Sequence, residues 1–164
     1  MAVSAAHAAD TEYLVRKSMT TGYQILSLIT PPAYIIFSMS RYGWRGFSVN
    51  RLLRATWLGG VGGTMVGGGL GYARYRFSNE EIARKHRLES TYDTNRIRAE
   101  DHSVIGSILL AVLTPAILWR RANIVNLVLG GAGIGSSIGL ITHYARSLAG
   151  DPPPKVIVPV IINT

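Results

Sequence analysis

Residues 55–73 read ATWLGGVGGTMVGGGLGYA, a run without a charged side chain in which Gly59, Gly63, Gly67 and Gly71 recur every fourth position. A soluble helix avoids such a pattern, because each interior glycine costs roughly 1 kcal/mol relative to alanine. In a bilayer the balance differs. Lipid tails are as apolar as leucine, so helices associate there by close packing, and small residues at i, i+4 and i+8 let two backbones approach. The run is therefore expected to be a membrane helix with a tightly packed partner. A second ladder, Gly131, Gly135 and Gly139, lies in another uncharged stretch, residues 122–145.

Composition agrees with a small integral membrane protein. Of 164 residues 48% are hydrophobic and only 16% charged, too little charge to cover a soluble domain. With no Cys there is no disulfide framework, no thiolate nucleophile and no cysteine metal site. The net charge of +8 could suit nucleic acid, but its placement argues against that. Arg41, Arg54, Arg74, Arg120, Arg121 and Arg146 sit at the ends of uncharged windows, with Arg45 close by, where long stems reach lipid headgroups. Trp44, Trp57 and Trp119 fall at the same boundaries, as an aromatic belt does.

Four windows, residues 18–40, 55–73, 103–119 and 122–145, approach the roughly 20 residues needed to cross the hydrocarbon core. The expected fold is all-α, with four transmembrane helices arranged as two similar Gly-rich hairpins. The segments are a polar N-terminal tail (1–17), a first hairpin (18–73), a charged connection (74–102), a second hairpin (103–145) and a Pro-rich extended tail (146–164). The halves repeat: Leu28-Ile29-Thr30-Pro31 answers Val112-Leu113-Thr114-Pro115, Leu58-Gly59-Gly60-Val61-Gly62 answers Leu129-Gly130-Gly131-Ala132-Gly133, and Tyr72-Ala73-Arg74 answers Tyr144-Ala145-Arg146. Two spans per repeat give the copies the same orientation, about an axis near the membrane normal.

Pro31, Pro32 and Pro115 are expected to kink or break the first helix of each hairpin, since proline removes a backbone bond and clashes with the carbonyl four residues back. Thr30 and Thr114 are candidates to satisfy the freed carbonyls. Broken helices at matching repeat positions line binding sites in transporters, which keeps a small transporter or channel as an alternative. The polar groups at membrane depth are uncharged, Gln24, Ser27, Thr64, Asn123, Asn126, Ser136, Ser137 and Thr142, with His143 near a span end. A coupled transporter normally places an ionisable residue there.

The connection holds seven Lys or Arg against six acids. Ser78 with Glu81 reads as a capping box starting a helix near Asn79, and Glu80 with Arg84 and Glu81 with Lys85 have the favoured i,i+4 polarity. That helix is too poor in apolar residues for its own core and is expected on the membrane surface or on a partner. His86 and His102 have no ligand spacing, so no metal is expected. The tail from Asp151 reads as a polyproline segment followed by an apolar strap suited to docking along another protein. No nucleotide loop, zinc-protease motif, nucleophile elbow or paired carboxylates point to catalysis. No cofactor is expected beyond bound phospholipid, with cardiolipin a candidate.

Arg45-Gly46-Phe47-Ser48-Val49-Asn50-Arg51 leading into Trp57-Leu58-Gly59-Gly60, with Tyr72-Ala73-Arg74-Tyr75-Arg76, resembles the fungal accessory subunits of the membrane arm of mitochondrial respiratory complex I. The resemblance covers the middle third of the chain. It implies a noncatalytic subunit of the inner mitochondrial membrane, bound to membrane-arm subunits and lipid, with no flavin, iron–sulfur or quinone contact. The chain is also similar to the four-span presequence-translocase family, although that resemblance asks for a ladder in the first span, which holds only Gly22. Residues 1–17 contain Asp10 and Glu12 and lack a transit-peptide pattern, so targeting is expected to be internal. Four spans place both termini on one side, with eleven Lys or Arg there against six opposite, which favours the matrix side.

Overall fold

The computed structural model describes residues 4–43 and 47–150. Trp44, Arg45 and the tail 151–164, for which belt, headgroup and docking roles are expected, lie outside the described residues. Five helices and no strand are found among the described residues: α1 (Ala5–Tyr42), α2 (Val49–Arg76), α3 (Glu80–Tyr92), α4 (Thr94–Leu118) and α5 (Ile124–Leu148). The all-α expectation holds. Helix α1 packs along α2 and α4 along α5, and the two hairpins meet where α5 lies against α1 and α2.

By length and composition α4 and α5 are apolar enough to cross a membrane. Helices α1 and α2 are longer but diluted, α1 by hydroxyl, proline and amide side chains and α2 by glycine. The two apolar helices differ in setting. Half of the apolar window of α5 is buried inside the molecule against 6% of that of α4. Helix α5 is thus the centre of the fold and α4 its outer wall.

Residues 5–17 are not a loose tail. They form the first turns of α1, started by Ser4, whose hydroxyl accepts from the N–H of His7 at 3.1 Å. At 38 residues α1 is about 57 Å long, nearly twice the thickness of a hydrocarbon core of roughly 30 Å. It ends at Gly43, whose φ of 64° suits a residue without Cβ and whose N–H returns to Met39.

Helices α1 and α4 run through their prolines, so of the expected kink or break the break does not occur at Pro31, Pro32 or Pro115. Neither does Thr30 meet a freed carbonyl. Its hydroxyl donates to Leu26 O at 2.6 Å, whereas the prolines release Ser27 O and Leu28 O. The Ser78 capping box is likewise replaced: Asn79 is the N-cap of α3 and the Ser78 hydroxyl donates to Tyr75 O at 3.1 Å. Glu80 and Glu81 still sit in the first turn, where the helix dipole favours acids.

Helix α3 packs on the N-terminal part of α1. Ser4 donates to Glu80 at 2.8 Å, Arg87 pairs with the buried carboxylate of Asp10, and Thr91 donates to the Tyr13 hydroxyl at 3.3 Å. The ion pairs along α3 join Glu89 to Lys85 at 4.0 Å and to His86 at 3.3 Å, in place of the expected Glu80–Arg84 and Glu81–Lys85. Such docking depends on polar contacts, of which a charged pair with a buried partner contributes most. Arg87→Ala should therefore release α3 alone: its amide protons should exchange at least about tenfold faster, the effect of losing roughly 1.4 kcal/mol, while those of α5 keep their protection by mass-detected exchange.

Candidate functional site

The two hairpins close by the same contact. At each crossing the α-carbon hydrogen that stands where a side chain would be faces a carbonyl oxygen on the opposite helix. A methyl group on Gly63 would collide with Gly22 O and one on Gly22 with Gly63 O; Gly135 and Gly106 repeat this reciprocal arrangement. One step along, Gly67 meets Ser18 O and Gly139 meets His102 O. One step the other way, Gly59 accommodates the Thr30 side chain, and Gly131 that of Thr114, whose Oγ1 would be 2.6 Å from an added Cβ. Contacts of the Cα–H···O type contribute about 0.5–1 kcal/mol each and need the close backbone approach that only glycine permits.

These pairs fix the repeat register. Ser18, Gly22, Thr30 and Pro31 correspond to His102, Gly106, Thr114 and Pro115; Gly59, Gly63, Gly67 and Tyr72 correspond to Gly131, Gly135, Gly139 and Tyr144. The Leu58–Gly62 motif therefore sits one residue out of step with Leu129–Gly133. Tyr72 and Tyr144 are equally exposed, each at 54%. The fourth rung breaks the symmetry. Gly71 lies over Ser18, with an added Cβ 2.7 Å from the serine Cβ, whereas its counterpart is His143, hydrogen-bonded to Asn95 at 2.8 Å, its ring tilted at 55° to that of His102 with centroids 5.4 Å apart.

Helix α5 carries a second small-residue face toward the first hairpin. Gly130 sits on the backbone and Cβ of Leu53, and Gly133 faces Thr56 and Ser27. Leu53, Leu127, Thr56, Ser27 and Ser136 are the largest fully buried side chains, so most of the centre is small or hydroxylic. Thr56 and Ser137 return their hydroxyls to backbone carbonyls four residues back, at 2.9 and 3.0 Å, and Ser103 bonds Ser136 across the α4–α5 seam at 2.6 Å.

Polar clips lock the hairpins at both ends. At one end Asn50 Oδ1 accepts from the Asn126 amide at 2.8 Å and the Asn123 N–H at 3.2 Å, while the Trp57 indole donates to Asn126 at 3.0 Å. At the other, Lys17 pairs with Glu100 at 2.6 Å and Arg96 donates to Thr21 at 2.6 Å. Trp57 is thus partly turned to a neighbouring helix, while Trp119, 66% exposed, faces outward. Arg41, Arg54, Arg74, Arg120, Arg121 and Arg146 are all exposed, and Arg120 and Arg121 form the tight turn that the Arg121 N–H to Leu118 bond closes at 2.8 Å.

Comparison with protein-family models, curated proteins and solved structures finds no match for this chain.

Gly22 and Gly106 are the functional positions that ladder spacing misses, because each stands alone in its helix. The signal was available in the repeat: both lie eight residues before the Thr of the Thr-Pro pair. Gly62 and Gly69, by contrast, face open space. Gly63→Ala and Gly135→Ala should each cost about 1–3 kcal/mol as the seam is forced apart, and Gly62→Ala should cost nothing. Unfolding midpoints in mild detergent would check the difference.

Proposed function

We propose that this chain is a four-span membrane protein serving as a noncatalytic accessory subunit in the membrane arm of mitochondrial respiratory complex I. The observation that carries the membrane part is the inverted distribution of polarity. Glycine, serine and threonine fill the interior, while Ile29, Ile36, Met65, Leu70, Val112 and Ile117 stand outward, each more than half exposed. Water would penalise that surface at about 25 cal/mol per Å², and hydrocarbon does not. All four long helices share the outward apolar band, so α1 and α2 are read as spans beside the two more apolar helices. The projecting end of α1 with α3 forms a small polar head on one face.

Assignment to complex I rests on the resemblance of residues 45–51, 57–60 and 72–76 to its fungal accessory subunits. A structural role is supported by the groove beside Pro31 and Pro32. It measures about 640 Å³ and, apart from Ser137, is lined by aliphatic side chains such as Leu28, Ile36 and Ile141. A transport path at that point would need polar or ionisable lining. Both termini are placed on the matrix side, with the basic connection. The presequence-translocase reading is favoured by one feature, the use of Gly22 in the first span as a crossing point.

Blue-native electrophoresis of mildly solubilised membranes separates these readings. Comigration of the tagged chain with NADH dehydrogenase activity near the megadalton range is the expected outcome, with membrane-arm subunits identified by mass spectrometry in that band. A small free band would overturn the accessory-subunit role, and comigration with import channels would move the chain to the translocase.

A further inference from the structure

Along the outer side of the α1–α2 seam runs a groove of about 410 Å³. Ile25 and Leu26 wall it on α1, Val66 and Leu70 on α2, and the backbone of Gly63 and Gly67 is its floor. From Gly63 to Arg74 it follows about eleven residues of helix, or roughly 16 Å, which is half the roughly 30 Å hydrocarbon core. The trough is one leaflet deep.

Its polar end is built from Arg74, Tyr75 and Arg96. Arg96 is fixed in place through Thr21, with its Nε 3.8 Å from Glu100. Beyond it a second cavity of about 180 Å³ shares Ser18, Tyr75 and Arg96 and adds Leu14, Lys17, His86, Glu89, Ser90 and Asp93, with the Lys17 ammonium held by Glu100 at 2.6 Å. The Ser90 hydroxyl is buried there without a protein partner. Asp93 caps α4 through Oδ1, and Glu89 is held near His86 and Lys85. The sequence of environments is an apolar trough, then two guanidiniums, then a mixed cavity in which Glu89 and Asp93 stand with an orphan hydroxyl beside Lys17, which Glu100 neutralises, and His86.

We propose that this groove holds a single aminophospholipid, with an acyl chain on the glycine floor, its phosphate between Arg74 and Arg96, and its ammonium toward Glu89 and Asp93. Guanidinium forks match phosphate oxygens, and carboxylates match an ammonium. The second hairpin supplies a natural contrast. The residues equivalent to Ser18, Thr21, Gly71 and Arg74 are His102, Ile105, His143 and Arg146, and they line their own cavity of about 310 Å³. Arg98 and Asp101 line that cavity too, but two imidazoles stand where the first hairpin has serine and glycine and Ile105 is the one apolar side chain in its lining, so no trough continues from the polar end. The site belongs to the first hairpin alone.

This inference rests on the membrane reading, and the test separates the two. The full-length chain is purified from membranes in mild detergent, its retained phospholipid is classed by mass spectrometry, and the delipidated protein is offered phosphatidylethanolamine, phosphatidylglycerol or inorganic phosphate. Phosphatidylethanolamine should be retained in stoichiometric amount. Val66→Trp, which fills the trough from an exposed position, and Arg74→Gln should each reduce retention about tenfold, the loss of one charge-assisted contact or of the apolar slot, with helix content and unfolding midpoint unchanged. Glu89→Gln should erase the preference over phosphatidylglycerol. Equal retention of every lipid by wild type and variants, meaning annular lipid only, would overturn the proposal, as would Arg74-dependent binding of inorganic phosphate that no lipid displaces. Alkaline carbonate extraction of the same membranes reads the premise: release of the chain would sink the membrane reading itself, whereas a retained chain with unselective lipid sinks only the site.

Discussion

Two helix backbones touch at Gly22 and Gly63, and again at Gly106 and Gly135, with a carbonyl oxygen of each helix resting on the α-carbon of the other. Nothing larger than hydrogen fits between them. In the membrane setting proposed for this chain, lipid offers no hydrophobic gain for bringing two apolar helices together, so the net attraction comes from dispersion and weak polar contacts, and both fall off steeply with distance. Glycine therefore has a use here that outweighs its poor helix propensity. The loss of roughly 1 kcal/mol per residue in water shrinks where the backbone cannot hydrogen-bond to solvent, and the close crossing is available to no other residue.

Duplication of that crossing explains most of the architecture, and departures from the duplicate explain the rest. Each half brings one Gly, one Thr-Pro and a ladder into the same register. What makes α5 central is its second small-residue face, with Gly130 and Gly133 seated on Leu53 and Thr56; α2 has no such pairing through Gly62 or Gly69, which face open space. The two halves are thus equal in their internal seams and unequal in how they meet each other. His143 marks the other departure, where an imidazole bonded to Asn95 replaces the Gly71 contact and closes the end of the second seam.

The ladders and the second helix of each hairpin were legible because periodicity in a long uncharged window reports directly on a helix face. Gly22 and Gly106 were not, since a lone glycine has no period, and only pairing across helices gives it meaning. Register was misread by one residue at Leu58–Gly62 for a related reason: in a Gly-rich run several alignments score alike, and the backbone contact, not residue identity, chooses among them. Residues 5–17 look like a tail because charge and alanine suggest exposure, yet the Ser4 cap and the Asp10–Arg87 pair make them helix. Prolines 31, 32 and 115 read as kinks or breaks by local rules, and the helices continue through all three. Packing of Thr30 against Gly59 and of Thr114 against Gly131, directly beside those prolines, holds the helices through them.

The two ends of the bundle differ in chemistry. The glycine seams join the helices within each hairpin and leave the fit between hairpins to the face of α5 that carries Gly130 and Gly133. Directional contacts at the ends fix one hairpin against the other, and the charged groups among them stay partly exposed and do not carry the full desolvation cost of burial. Lys17 with Glu100 and Arg96 with Thr21 form one stop, and Asn50 with Asn126 and Trp57 forms the other. Amides serve at the second end because the α4–α5 turn there is tight, leaving Asn123 and Asn126 close to the start of α2. The two stops lie at opposite ends of the seams, so a shift of either hairpin along its axis must break one of them.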